Sequence, residues 1–191
     1  MPIGYWETLA TLNADGTALT AAARASLTQG AAATGARYTM NGNKLRIGDQ
    51  LKVIASGRIS CVVTTPGTAR FDLSFGGTAN FDTLAMNLNI VAKTNVGWFL
   101  EVIGTVRAIG TTANIFWMGK WDSEAVIASP TAATGGSGGW VVPYNTAPVI
   151  GPNFDSTIDQ LVDLQFTQTV ATGSCTLHQY NFSHLTSTGF G

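Results

Sequence analysis

The sequence predicts an all-β fold, an antiparallel β-sandwich for which a jelly roll is the first choice. Roughly eight to ten short stretches alternate apolar and polar residues, turn-forming clusters separate them about every ten residues, and helix-forming composition is nearly absent. We expect an N-terminal extended arm over residues 1–35 and a sandwich domain over residues 36–191 that includes one long loop, residues 129–157.

The first 35 residues hold little that would anchor them. Residues 5–12 alternate weakly and indicate a short edge strand, whereas residues 21–27 fit either two helical turns or an extended arm with a single turn. The segment therefore predicts an arm that needs another surface to become ordered. The apolar residues expected to contact that surface are Tyr5, Trp6, Leu9, Leu12, Leu19 and Leu27.

The clearest single strand begins after Gly48-Asp49. Its apolar face holds Leu51, Val53, Ala55, Gly57, Ile59 and Cys61. A glycine at position 57, inside so long a strand, predicts a bulge or a bend. A second strand, which contains Phe71, Leu73 and Phe75, ends at Gly76-Gly77.

Two long stretches, residues 97–123 and 159–185, each predict a β-hairpin. Each contains two strand-like runs divided by a turn-forming cluster, at residues 110–112 in the first and 171–173 in the second. In the first stretch the strand period of two places one apolar set on a single face. That set is Trp98, Leu100, Val102, Val106, Ala108, Ile115, Trp117 and Trp121.

The opposite face of the first stretch is only partly polar. Phe99 and Ile103 alternate with charged residues on one arm, and Phe116 and Met118 do so on the other. A strand that is apolar on both faces is covered on both faces, and in a chain of 191 residues we expect the second cover to be another subunit. We therefore assign self-association to these four residues.

The predicted loop, residues 129–157, is too long and too rich in turn-forming residues for an ordinary connection. Such loops are commonly functional. The glycine run at 135–139 lacks the Lys-Ser/Thr and the helix of a phosphate-binding loop. Trp140 and Tyr144 either pack the loop against its own sandwich or contact a neighbouring molecule.

Charge and composition limit the classes of partner. Charged residues make up 11% of the chain, well below the usual ~25%, and the net charge is −1. We therefore expect neither nucleic-acid binding, which needs a basic patch, nor a membrane span, which needs about 18 consecutive apolar residues. The N-terminal residues also lack a signal-peptide pattern. Low charge predicts a surface largely in contact with partners, although a compact monomer with a Thr/Asn/Ser-rich surface remains the alternative.

Candidate catalytic residues are sparse. His178 lies in phase with aromatic strand residues, which favours a structural role, and the carboxylates are scattered singly over turns and strand faces. Cys61 and Cys175 match no metal spacing, and their phase within strands predicts buried free thiols. We expect no catalytic residue, no metal and no cofactor, so that the protein is not an enzyme.

Four stretches carry a resemblance to a known family. They read SLTQGAAATGARYTMNGNKLRIGDQLKVIASGRISCVV, RFDLSFGGT, GWFLEVIGTVRAIGTTANIFWMGKW and VDLQFTQTVATGSCTLHQYNFSHL. Their most distinctive motifs are Gly57-Arg58-Ile59-Ser60, Gly76-Gly77-Thr78 and Leu177-His178-Gln179-Tyr180. Over about residues 26–128 and 159–185 the chain resembles capsid decoration (head auxiliary or cement) proteins of tailed bacteriophages, which have jelly-roll folds.

This resemblance implies a late structural protein of the virion, synthesised in the host cytoplasm. Its expected partners are the major capsid protein and other copies of itself, typically in a homotrimer, with the arm as the capsid-binding element. The alternative function is a tail or head-fibre module that binds host glycans, in which Trp140 and Tyr144 would stack on a sugar ring. A glycan-cleaving enzyme would need a close pair of acids that the sequence does not indicate.

Overall fold

The computed structural model describes residues 5–29, 36–61, 67–126 and 138–187. Within these ranges the chain forms β-strands and no helix, which confirms the all-β prediction. The strands are β1 (Trp6–Thr11), β2 (Arg24–Ser26), β3 (Tyr38–Met40), β4 (Gln50–Cys61), β5 (Thr68–Phe75), β6 (Thr78–Asp82), β7 (Met86–Asn87), β8 (Lys93–Ala108), β9 (Asn114–Ser123), β10 (Gly138–Val142), β11 (Gln160–Gln168) and β12 (Ser174–Leu185). No described segment is a helix of the length and apolarity that a membrane crossing requires.

Two antiparallel sheets form the sandwich. Sheet I has the order β1-β12-β4-β8-β9-β10, and sheet II has the order β2-β11-β5-β6, with β3 also paired to β11 and β7 to β5. The sets β1-β12-β4-β8 and β2-β11-β5-β6 have the strand order of a jelly roll, in which the chain passes repeatedly from one sheet to the other. The predicted fold is confirmed, and β9 and β10 widen sheet I beyond the basic eight strands.

Aromatic side chains fill much of the space between the sheets. Phe71 of sheet II lies with its ring centroid 5.0 Å from Trp98, 4.4 Å from Trp121 and 5.1 Å from Phe166. Trp98 and Trp121 of sheet I also stack on each other at 5.4 Å. Large rings carry much of the buried apolar area of a core, so this cluster joins the two sheets near their centre.

The first predicted hairpin is confirmed and the second is wrong. Strands β8 and β9 pair with each other, with Leu100 opposite Trp121 and Val102 opposite Gly119. Strand β11 belongs to sheet II and β12 to sheet I, so the chain crosses the core between them. A turn-forming cluster reverses the chain but leaves open whether the two arms pair. Here each arm finds other neighbours, β5 for the first and β4 for the second.

The bulge predicted at Gly57 of β4 is found in the neighbouring strand β12, directly opposite this glycine. The register between β12 and β4 shifts between Leu177, opposite Gly57, and Gln179, opposite Ser56, so the extra residue is His178. A Cβ atom at position 57 would lie 1.9 Å from the Thr176 carbonyl oxygen. Only glycine allows this close approach of the two backbones.

The N-terminal segment joins the sandwich along its described part, residues 5–29. Strand β1 pairs with β12 at one edge of sheet I, as the sequence predicts, and β2 pairs with β11 in sheet II. The helical interpretation of residues 21–27 is wrong, because the edge of sheet II offers backbone partners that outweigh a weak helix propensity. Residues 1–4 and 30–35 lie outside the described residues. The division at residue 35 into two folding units stays a prediction.

The predicted long loop contains one strand and one covering segment. Strand β10 extends sheet I beside β9, with Trp140 opposite Trp121. Residues 143–152 then cross the end of sheet II near β6. The first part of the loop, residues 127–137, lies outside the described residues, and with it most of the glycine run.

Candidate interaction surface

The outer face of sheet I is the surface formed by the outward side chains of β4, β8, β9 and β10. Along β8 the buried and exposed residues alternate from Trp98 to Arg107, because a strand period of two sends successive side chains to opposite faces. The inward set packs on sheet II, and the outward set includes the residues predicted for self-association. The outward side chains are Lys52, Ile54, Ser56, Arg58, Phe99, Glu101, Ile103, Thr105, Arg107, Phe116, Met118, Lys120, Asp122 and Val141.

Several large apolar side chains on this face remain in contact with solvent. Phe99 is 38% exposed, Ile103 40% and Met118 40%, and Val141 at the sheet edge is 62% exposed. Ile103 lies directly opposite Met118 in the β8–β9 register. In the described part of the chain these side chains stay partly uncovered, and a second cover on this face stays a prediction.

Phe116, the fourth predicted residue, is more enclosed. Its strand forms an isolated bridge to Ile150, and the guanidinium carbon of Arg107 lies 5.6 Å from the centre of its ring. The ring is therefore half-buried beneath a cation. The exposed apolar group therefore consists of Phe99, Ile103 and Met118 on one face, with Ile103 opposite Met118 and Phe99 four residues away along β8, whereas Phe116 is half-buried.

Charges of both signs surround the exposed apolar group. Glu101 of β8 lies opposite Lys120 of β9, and the ammonium of Lys120 lies 3.5 Å from a carboxylate oxygen of Asp122. Within the described ranges, Glu101, Arg58 and Arg107 belong to no ion pair. The face therefore offers apolar area together with unpaired charges of both signs.

Most of the apolar residues of the predicted arm face their own sandwich. Leu27 is buried, and Leu9, Leu12 and Leu19 pack against the core. Tyr5 and Trp6 differ, because they are 76% and 36% exposed. The Trp6 ring lies 4.8 Å from the ammonium of Lys52, at the end of sheet I opposite to β10. The structure thus leaves only these two of the six predicted contact residues available to another molecule.

Trp140 and Tyr144 pack against the protein itself. Their ring centroids are 5.8 Å apart, both side chains are partly buried on the core, and the backbone amide of Tyr144 donates a hydrogen bond of 2.9 Å to the Thr83 carbonyl. The indole N–H of Trp140 is buried and has no hydrogen-bond partner among the described residues. This arrangement matches the first of the two roles expected for the pair, that of holding the loop on its own sandwich.

A cleft of about 230 Å³ lies between β6 and the segment 143–152. The segment is held at its end, where the amide of Gly151 bonds to the Ile115 carbonyl at 2.9 Å and the side-chain amide of Asn80 donates to the Pro152 carbonyl. The lining is mainly aliphatic and includes Pro143, Val149 and Ile150. No sequence signal marks this cleft, since it forms only where a loop crosses a distant strand.

The two histidines each bind a carboxylate. His184 Nε2 lies 2.8 Å from Asp49 Oδ2, and both side chains are almost fully buried. Asp49 also accepts the backbone amides of Arg46 at 3.0 Å and Ser187 at 2.6 Å, so it ties the end of β12 to the start of β4. His178 bonds to Asp15 near the surface, at 2.7 Å. Both histidines therefore connect segments of the fold, in agreement with the structural role expected of His178.

The other side chains that could be reactive also lie in positions that indicate a structural role. Cys61 and Cys175 are buried free thiols, as the sequence predicts, and burial raises the pKa of both. A hydrogen bond to Asp72 raises the pKa of Arg24, and one to Asp82 raises the pKa of Arg70. Within the described part of the chain, no three His, Cys, Asp or Glu side chains converge as metal ligands would.

Comparisons with known proteins complete the description. No family model and no curated protein matches this chain. Among solved structures it is similar to the CBM2 module of the evolved Dit protein of Lactobacillus casei BL23 phage J-1, with a TM-score of 0.33 and 8% identity over 98% of this chain and 99% of that one. A likeness this weak carries no argument about function, which therefore rests on the residues described above.

Proposed function

We propose that this protein is a non-enzymatic structural component of a bacteriophage particle, one that decorates the capsid and whose outer face of sheet I is covered by a protein neighbour. The observation that carries the proposal is the exposed group formed by Phe99, Ile103 and Met118. The resemblance of the sequence to capsid decoration proteins supplies the class of particle, and the jelly roll that the resemblance implies is the fold observed.

Burial of this face is favourable on physical grounds. Apolar surface removed from water contributes about 25 cal/mol per Å², and contiguous exposed apolar groups commonly mark sites of protein association. The chain carries few charges that would repel neighbouring molecules, since only 11% of its residues are charged. Such a surface suits a subunit that functions within an assembly.

Contact with the capsomers is assigned to the N-terminal end of the molecule. Tyr5 and Trp6 are the exposed members of the predicted arm, and they lie at the β1 edge of sheet I. Exposed aromatic residues of this kind are frequent anchors in protein interfaces. Deletion of residues 1–35 would also remove β1 and β2, so substitutions at Tyr5 and Trp6 test the contact more cleanly.

The second candidate function is a module of the particle that recognises host glycans. The cleft beside β6 favours it, because about 230 Å³ exceeds the ~150 Å³ that accommodates a single six-membered ring. The rings of Trp140 and Tyr144 are partly buried on the core, so in this alternative we place the sugar in the cleft. Its few polar groups make it the weaker candidate.

Binding to capsids that lack this protein is the decisive experiment. We expect the full chain to co-sediment with such capsids, and the double substitution Tyr5→Ser, Trp6→Ser to reduce binding by about tenfold or more, since aromatic anchors dominate interface energies. Thr11→Ser, also on β1, serves as the matched control and should bind as the wild type does. Failure of the wild-type chain to bind, together with glycan-array binding that Val149→Trp blocks, would replace the first function with the second.

A further inference from the structure

We propose that the neighbour on the outer face of sheet I is a second copy of this chain, packed face to face about a two-fold axis. The inference rests on the proposed function for the existence of a cover and adds its identity. It differs from the trimer that the sequence resemblance implies, because a two-fold contact uses the same surface on both partners, whereas a three-fold contact joins two different surfaces.

The size of the face meets the requirement of a stable dimer. The four strands of this face, β4, β8, β9 and β10, are 12, 16, 10 and 5 residues long. At a rise of about 3.3 Å per residue and a strand spacing of about 4.8 Å they cover roughly 680 Å². Specific interfaces bury about 600–1,000 Å² on each partner, so the area of this face lies within that range.

The shape of the central strand also suits a sheet packed on a sheet. Phe99 and Ile103 project from the same face of β8 and lie four residues apart, about 13 Å along the strand. Glu101 lies between them on the same face and is partly buried. Side chains from two facing sheets interdigitate when the sheets lie about 10 Å apart, so we expect large apolar side chains of the partner to pack beside Phe99 and Ile103.

The pattern of charge favours a copy of the same chain over a different partner. A surface that binds itself carries both signs, and on this face the carboxylate of Glu101 and the guanidinium groups of Arg58 and Arg107 belong to no ion pair among the described residues. A strongly acidic partner would be repelled by Glu101 and Asp122, and a strongly basic partner would be repelled by the two arginines. In a two-fold dimer the carboxylate of each copy meets the cations of the other.

Sedimentation equilibrium of the full chain tests the inference directly, because it measures the mass of the species in solution. The wild type should have a mass of about 40 kDa, twice the 20.0 kDa of one chain. Ile103→Glu and Met118→Glu should each weaken self-association by about 30-fold or more, because they bury an unpaired charge at the centre of the contact. Ile158→Glu is the matched control, since Ile158 is also exposed but lies on the loop before β11, and it should remain dimeric.

A charge exchange tests whether the partner is a second copy. Glu101→Arg alone and the double variant Arg58→Glu, Arg107→Glu alone should each lose self-association, and a mixture of the two should form a heterodimer. Circular dichroism of every variant checks that the sandwich is intact, and Ile103→Thr, which adds no charge, replaces any variant that fails to fold. A wild-type monomer at about 100 µM, a trimer, or a dimer that Ile103→Glu leaves unchanged would overturn the inference. Capsid binding by a wild-type monomer would overturn the inference alone, whereas a dimer that ignores capsids would overturn only the proposed function.

Discussion

The outer faces of the two sheets differ in whether their charged side chains find partners within the chain. On sheet II the polar side chains bind one another: Arg24 pairs with Asp72, and Arg70 pairs with Asp82. On sheet I, Glu101, Arg58 and Arg107 have no ion-pair partner within the described chain, and partly exposed apolar residues share their face. On sheet II these charged side chains are paired within the chain, whereas we propose that the charged and apolar side chains of the sheet I face meet another molecule.

Asp163 shows how complete the sheet II face is. Its carboxylate accepts hydrogen bonds from Ser26 at 2.7 Å, Gln165 at 2.7 Å and Arg37 at 3.1 Å, as well as from the hydroxyl of Thr28. The side chain is only 3% exposed although it lies on an outer face. A carboxylate that accepts four hydrogen bonds within the chain has no remaining capacity for a partner, which is why we place the proposed interaction surface on the other sheet.

The largest expected effect separates the two faces of a single strand. Leu100→Ala should lower the free energy of unfolding by about 4 kcal/mol, because it leaves a cavity in the core, whereas Phe99→Ala on the outer face of sheet I should lower it by less than about 1 kcal/mol. Urea denaturation at protein concentrations low enough to keep the chain monomeric gives both values. A large loss in Phe99→Ala would mean that this face stabilises the single chain and needs no partner.

The next effect compares the two outer faces through one carboxylate on each. Asp163→Ala should lower the free energy of unfolding by about 3 kcal/mol, since it leaves the buried donors around it without an acceptor. Asp122→Ala on sheet I should change it by less than about 0.5 kcal/mol, as expected for an exposed ion pair. The same urea experiment measures both. Equal losses at the two positions would contradict the distinction between a complete and an incomplete face.

The smallest expected effect is a fall in the free energy of unfolding at alkaline pH, caused by two buried groups of sheet I. Burial raises the pKa of Cys175 and of Tyr180, both on β12. Below about pH 7 both groups are neutral in the folded and unfolded states. Above that, the unfolded chain ionises first at Cys175 and near pH 10 at Tyr180, so stability should fall by up to about 1.4 kcal/mol per pH unit for each group. Urea titrations from pH 8 to 10.5 measure the slope, and Tyr180→Phe should reduce it above pH 10. An unchanged slope in that variant would exclude Tyr180 as the cause.

Much of the fold and part of the candidate site could be predicted from local pattern. Period-two alternation identified the buried faces of β4, β5, β8 and β9 and, by the same rule, the outward position of Phe99 and Ile103. Val141 and Arg58 were missed as members of the surface. They join it only through the pairing of β10 and β4 with the central hairpin, and no short stretch of sequence records that pairing.

The sequence by itself determined the strand type, the two faces of each long strand and the excess of apolar residues on one of them, because alternation and composition act within a few residues. Tertiary structure alone decided that β11 and β12 part into different sheets, that the N-terminal leucines cover their own core, and that the polar network closes on sheet II while sheet I stays open. Backbone groups pair with whichever sheet edge is free, and the free edges exist only once residues far apart in the chain have come together.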